Sequence, residues 1–280
     1  MRPILHCLVV FILLAPRSGA QSVSEKPDST RGCFQAVGDD LERAVADGVD
    51  VISRPLSFNS TDALYTAAVV GLTAAGFLVD QEVRDVMQRN QLSSENILLD
   101  IGDSYGLVQR AVVLGGATYV GGLVFHEPAF RRTGREILES VAFAGLLTVS
   151  LKFLLGRARP YLDEGAFSFR AFQTSVDRTS LPSGHTTVAF AVSTVMAEEI
   201  GSPVASVILY GMAGLTAWQR MHNDRHWLSD TFLGAAIGFT MGRVVVAINR
   251  DREEDSAFSR VFIYPVTRSG APGAGIVIAF

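Results

Sequence analysis

Six apolar stretches, at 63–79, 107–125, 137–155, 186–200, 203–218 and 230–248, dominate the 280-residue chain. Each is rich in Ala, Val, Leu and Gly, and none alternates apolar and polar residues in the two-residue rhythm of a half-buried strand. Runs of this kind satisfy their backbone groups as helices, so they predict an all-α fold: a single bundle of about six core helices. Hydrophobic residues make up 48% of the chain and charged residues 19%, against roughly 25% charged in an ordinary soluble domain. Two settings fit that balance, a membrane or a densely packed helical globule. Most of the runs fall short of the roughly 20 residues of a spanning helix, and several carry charge: Arg110, Glu139, Lys152, Glu198, Glu199 and Arg243. These features lean toward the globule, while the composition pulls the other way.

The termini differ in kind from the middle. Residues 1–20 read as a secretory signal peptide, with Arg2 at the start, an apolar stretch from Ile4 to Ala15, and Ser18-Gly19-Ala20 before Gln21. Cleavage removes Cys7 and leaves Cys33 as a lone thiol, so export here implies no internal disulfide. Residues 21–61 form a polar leader with a short amphipathic helix, 62–250 the helical domain, and 251–280 a tail. In the tail, Val261–Val266 and Gly275–Phe280 flank a Gly/Pro/Ser turn and predict a short β-hairpin. A signal sequence puts the segment after it outside the cytoplasm. If all six stretches then crossed, the loops after the third and fifth would face inward, and those loops hold the chemistry. The net charge of −4 gives no general attraction to nucleic acid, so an anion site has to be basic locally.

Three clusters at helix ends carry chemistry. Lys152 lies near the end of an apolar run, where a cation is costly without an anion. Arg159 follows seven residues on, about two helical turns, placing both cations on one face before Pro160 stops the helix. Pro182-Ser183-Gly184-His185 precedes the helix from Thr186; a small-residue turn there presents unpaired backbone N–H groups to an anion. Ser183 adds a hydroxyl, Gly184 admits close approach, and His185 titrates near neutrality and can protonate a leaving oxygen. Arg220 precedes His226 and Asp230, which are four apart and stack on a helical face. The carboxylate can take a proton from one ring nitrogen and leave the other as a lone-pair nucleophile. Each cluster alone also fits an ordinary helix terminus. His222, four before His226 and near Asp224, offers a competing zinc site, although Arg220 and Arg225 disfavour a dication there. Arg157 and Arg170 read either as further basic groups of the cradle or as solvated loop cations, and Trp218 and Trp227 as core or interface anchors.

Together the clusters resemble the type 2 phosphatidic acid phosphatase superfamily, which includes bacterial class A acid phosphatases, lipid phosphate phosphatases and vanadium haloperoxidases. Its signature, Lys-x6-Arg-Pro, Pro-Ser-Gly-His and Ser-Arg-x5-His-x3-Asp, corresponds here to Lys152 through Arg159-Pro160, Pro182 through His185, and Gln219-Arg220 through His226 and Asp230. Gln219 stands where the family often has Ser. The resemblance implies that His226 is the nucleophile, Asp230 its orienting acid and His185 the general acid. It implies that Lys152, Arg159, Ser183, Gly184 and Arg220 bind phosphate. It further implies a phosphohistidine intermediate, no metal or other cofactor, vanadate binding as a phosphate mimic, and a phosphorylated small molecule or lipid phosphate as substrate. Localisation would be periplasmic or membrane-associated, with the site outside the cytoplasm. A zinc-dependent phosphohydrolase and a non-catalytic protein binding anionic lipid are the alternatives.

Overall fold

The computed structural model describes residues 33–93, 96–258, 261–268 and 271–278. The signal peptide and the first part of the leader lie outside the described residues. The apolar runs become six helices: α2 (Ser60–Arg89), α4 (Val108–Phe125), α5 (Pro128–Leu155), α6 (Gly184–Ile200), α7 (Pro203–His222) and α8 (Leu228–Phe258). Two more join them, α1 (Cys33–Ser53) and α3 (Ile97–Tyr105). Local chemistry sets the boundaries. Asn59 caps α2 by accepting from the N–H groups of Thr61 and Asp62, and Asp62 accepts from Asn59 in return. Pro128 and Pro203 occupy first-turn positions of α5 and α7.

The 21-residue α1 is longer than the short helix expected, and its polarity is reversed. Asp40 and Asp47 are buried while Leu41, Val45, Val49 and Ile52 are exposed. Its acids turn inward because arginines wait there. Asp40 pairs with Arg131 at 2.6 Å and Arg135 at 3.4 Å, and Asp47 with Arg252 at 3.0 Å. These pairs lie at the end of the bundle away from Lys152 and Asp230. Three of the charges that argued for a globule are absorbed in the same region, Glu199 by Arg132 at 2.7 Å and Glu198 by Arg243 at 3.0 Å.

A core of Ile137, Val141, Val188, Val192, Val195 and Val246 joins α5, α6 and α8. Helices α6 and α8 approach very closely through glycine. A Cβ added at Gly238 would lie 2.2 Å from the Thr187 carbonyl oxygen, so no larger residue fits that crossing unmoved. The outer helices behave differently. Ser60–Arg89, Val108–Phe125, Pro128–Leu155 and Leu228–Glu253 are long and apolar enough to cross a membrane. Leu64, Leu72 and Leu78 on α2, Val113 and Phe125 on α4, and Leu146 and Val149 on α5 are exposed. The lean toward a globule is therefore corrected, since a water-soluble globule would not present faces of this extent. After α8, segments Val261–Arg268 and Ala271–Ile278 are paired antiparallel, and the residues joining them lie outside the described residues.

Candidate functional site

The site forms where α5 ends and α6 and α8 begin. Helix α5 stops at Leu155 because Gly156 adopts a left-handed conformation (φ 60°), where a Cβ would collide with the Arg170 carbonyl. The helix thus ends five residues before Pro160, correcting the expectation that Lys152 and Arg159 share a helical face. Arg159 sits in extended backbone instead. The loop 163–180 brings the two together: Lys152 Nζ donates to the Thr179 carbonyl, and Arg159 Nε donates to the Val176 carbonyl at 2.8 Å.

His226 and Asp230 also meet by a different route from the one expected. His226 lies in the turn before α8, and Asp230 is in the first helical turn. Asp230 Oδ2 accepts the Trp227 N–H at 2.9 Å, half of a capping box, and this turns the carboxylate back toward the preceding loop. His226 Nδ1 then lies 3.5 Å from Asp230 Oδ2, within ion-pair range. The imidazole is buried, and burial pushes it well below its ordinary pKa, more than Asp230 raises it. The ring is therefore neutral at pH 7, the form a nucleophile requires.

The second cluster docks directly on the third, because the Ser183 N–H donates to the Asp230 carbonyl at 2.9 Å. Ser183 occupies the N-cap of α6 without a side-chain capping bond, leaving the first-turn amides uncapped by it. Its hydroxyl accepts from Thr186 at 3.0 Å. His185 follows in the first turn, pushed down to about 4 by burial and then by Arg220. Both imidazoles lie in the field of Lys152 and Arg159. Arg159 and Arg220 are themselves displaced downward, Arg220 to about 10, with burial the leading cause in each. Lys152, Arg159, Ser183, Gly184, His185, Arg220, His226 and Asp230 thus occupy one region, and it holds more cation than anion. An oxyanion is what relieves it.

Several residues at the site had no voice in the motif reading. Asp103, on α3, accepts from Arg220 Nη1 at 2.9 Å and lies 4.0 Å from His185 Nε2. A cleft of about 360 Å³ opens beside it, lined by Asp100, Asp103, Arg220, Asn223 and Arg225. Arg157 is neither a cradle cation nor a solvated one: it is fully buried, donating to Asp230 Oδ1 at 2.6 Å and to Asp80 Oδ2 at 2.7 Å. Ser180 Oγ donates to Asp230 Oδ2. Trp227 is a core anchor, buried, with its indole N–H on the Ala158 carbonyl at 3.0 Å.

The zinc donors do not converge. His222 Nε2 accepts the Leu92 N–H at 2.9 Å, its Nδ1 lies 3.1 Å from Asn223 Oδ1, and its ring packs 5.1 Å from Trp218. Asp224 is held in bidentate fashion by Arg84 at 2.7 and 2.8 Å. His222 and Asp224 thus join a structural lock between α2 and α7 and lie apart from His226.

The chain is similar in sequence to several known proteins. Over 86 residues the chain is 41% identical to a lipid A 1-phosphatase of Porphyromonas gingivalis, covering 30% of this chain and 19% of that protein. Over 107 residues it is 35% identical to a lipid A 1-phosphatase of Rhizobium etli, covering 38% of this chain and 45% of that one. The chain thus spans less than half the length of these relatives. Among solved structures, Aquifex aeolicus LpxE superposes with a TM-score of 0.47 at 19% identity, covering 60% of this chain and 95% of that one. A PAP2-type phosphatidylglycerolphosphate phosphatase from Bacillus subtilis gives 0.42 at 20% identity, covering 74% and 96%. The sequence pattern of the PAP2 superfamily matches residues 134–254, a stretch that contains every motif residue from Lys152 to Asp230. The three motif parts that the fold gathers at one end of the bundle thus lie in the segment that is similar to the PAP2 superfamily.

Proposed function

We propose that the chain is a membrane-associated phosphatase that cleaves a phosphomonoester, most directly a lipid phosphate, through a covalent phosphohistidine. The observation that carries this reading is the neutral, buried His226 ring, backed by Asp230 and facing a region where Lys152, Arg159, His185 and Arg220 converge. In the first step His226 Nε2 forms a bond to phosphorus and the P–O bond to the leaving group breaks. His185, protonated when the anion is bound, gives its proton to the leaving oxygen. In the second step His185 takes a proton from water, the water oxygen attacks phosphorus, and the P–N bond breaks, releasing phosphate and restoring His226. Lys152, Arg159, Arg220, Ser183 and the Gly184 N–H hold the transferring oxygens, so the reaction proceeds on protein groups without a metal.

Two observations favour a lipid substrate. The matched relatives are lipid A 1-phosphatases, and the exposed apolar faces of α2, α4 and α5 suit a bilayer. In this reading a C-terminal hairpin closes a single bundle of about six core helices, and the site faces outside the cytoplasm after a cleaved leader. That orientation requires an even number of crossings among α2, α4 and α5.

The test measures inorganic phosphate released from p-nitrophenyl phosphate and from a detergent-dispersed lipid monophosphate, with a chelator present throughout. The expected result is turnover on both, faster on the lipid and unchanged by chelation. Activity that vanishes with the chelator and returns with zinc would replace this mechanism with a metal-dependent one.

A further inference from the structure

We infer that Arg157 and Asp80 are positioning residues of this site, fixing the Asp230 carboxylate so that His226 is held in a single tautomer. The inference rests on the reading of His226 as nucleophile and adds a layer behind it, reaching into helix α2.

The argument starts from the buried ion network. Arg157, Asp80 and Asp230 are all fully buried. Burying such a network is costly unless every donor and acceptor is matched. Here the matching is close to complete. Arg157 Nη1 donates to Asp230 Oδ1 at 2.6 Å and to Ser229 Oγ at 2.7 Å. Its Nη2 donates to Asp80 Oδ2 at 2.7 Å, and Nε and Nη2 both reach the Ala166 carbonyl, at 3.0 and 2.7 Å. Asp80 in turn accepts the Ser229 N–H at 2.9 Å and the Ser229 hydroxyl at 2.6 Å. The Phe77 ring lies 4.3 Å from the guanidinium, with Phe169 and Trp227 also against it, which shields the group from water.

These bonds act on the catalytic pair. Asp230 Oδ1 is taken by Arg157, while Oδ2 accepts from Ser180 and from the Trp227 N–H and faces His226 Nδ1. With Oδ1 pinned, the carboxylate plane cannot rotate, and Oδ2 stays opposite Nδ1. A proton on Nδ1 is then favoured over one on Nε2, and the bare Nε2 is the atom the phosphoryl group needs. Asp80 completes the device by fixing the second arm of the guanidinium. Thr73 and Asp80 are the buried residues of α2, so Asp80 ties a largely exposed helix to the reacting centre. No Arg157 nitrogen points at the phosphate-binding cations: each described partner is a carbonyl, a hydroxyl or a carboxylate. Its effect must therefore pass through Asp230.

The experiment uses the full chain in detergent as Arg157→Gln, Arg157→Lys, Asp80→Asn and the Arg157→Gln/Asp80→Asn double variant. Nitrogen-15 histidine spectra, with His226 assigned by loss of its resonances in His226→Gln, should show wild-type His226 protonated at Nδ1 alone. In Arg157→Gln and Asp80→Asn the same ring should become a mixture of tautomers. On the lipid monophosphate, Arg157→Gln should lower kcat on the order of 100-fold with KM within about threefold, because the phosphate contacts are untouched. Arg157→Lys should recover part of that loss. The double variant should be no slower than Arg157→Gln, because Asp80 has lost the partner through which it acts. If Arg157→Gln does not fold, Asp80→Asn and Arg157→Lys carry the same readouts. An unchanged His226 tautomer in the variants that fold would overturn the inference. So would a kcat loss that disappears after correction for folded protein. Turnover by the wild type decides the phosphatase reading, whereas the tautomer decides this one even if no phosphate is released.

Discussion

At the scale of single residues, the site is an excess of positive charge held largely out of water, and its titration follows from that. His185 is pushed down to about 4 by burial and by Arg220. The same imidazole in the unfolded chain titrates near 6.5. Between those values the unfolded chain binds a proton that the folded chain refuses, so this group lowers stability as pH falls from about 6.5 to about 4 and has no effect above that window. His226 is displaced in the same direction. Thermal unfolding should therefore occur at a lower temperature near pH 5 than near pH 7.5. Inorganic phosphate should narrow the gap, since a bound anion favours the protonated ring. A midpoint that rises on acidification would contradict the assignment of these rings as buried and neutral. For catalysis, His226→Ala should remove at least about 10³-fold of kcat, and Asp230→Asn roughly 10²–10⁴-fold by releasing the ring to the wrong tautomer. Phosphate release by the purified variants checks both.

At the scale of elements, the contact between α6 and α8 places two of the three motif parts side by side. Gly238 faces the Thr187 carbonyl at a separation no side chain tolerates. Gly238→Val should cost about 2–4 kcal/mol of stability and weaken activity with it. Gly116→Ala, with open space around its Cβ, should change stability by less than about 1 kcal/mol. Equal melting temperatures for the two variants would remove the close crossing from the account. Much of this level was legible in the sequence. The six apolar runs gave the helices that carry the fold, and motif spacing named Lys152, Arg159, Ser183, Gly184, His185, Arg220 and Asp230, which lie in one region with His226. What escaped was tertiary. Asp103 lies on the nine-residue α3, in a segment whose pattern does not stand out. Arg157 reads equally as a cradle cation or a solvated loop cation because sequence cannot show that Asp80, 77 residues earlier, comes to meet it. Helical spacing also misled in two places. It placed Lys152 with Arg159, and His226 with Asp230, on helical faces that Gly156 and the turn before Leu228 interrupt.

At the scale of the whole molecule, two ends of one bundle have different chemistry. One end concentrates cations around two imidazoles. The other neutralises arginines against Asp40, Asp47, Glu198 and Glu199. Between them α2, α4 and α5 present apolar faces that water would not tolerate in a stable monomer. The protein should therefore remain in the membrane pellet after a carbonate wash, and its release into the supernatant would argue against embedding. A cysteine placed at exposed Phe172, in the loop beside the site, should react with an impermeant maleimide in intact cells; labelling only after lysis would reverse the orientation. The central claim, that His226 carries the phosphoryl group, has a more direct test. Brief reaction with a ³²P-labelled lipid monophosphate and an alkaline quench should leave label on the protein that is stable to base, lost in acid, and missing from His226→Ala. Label that survives acid, or that persists in His226→Ala, would contradict it.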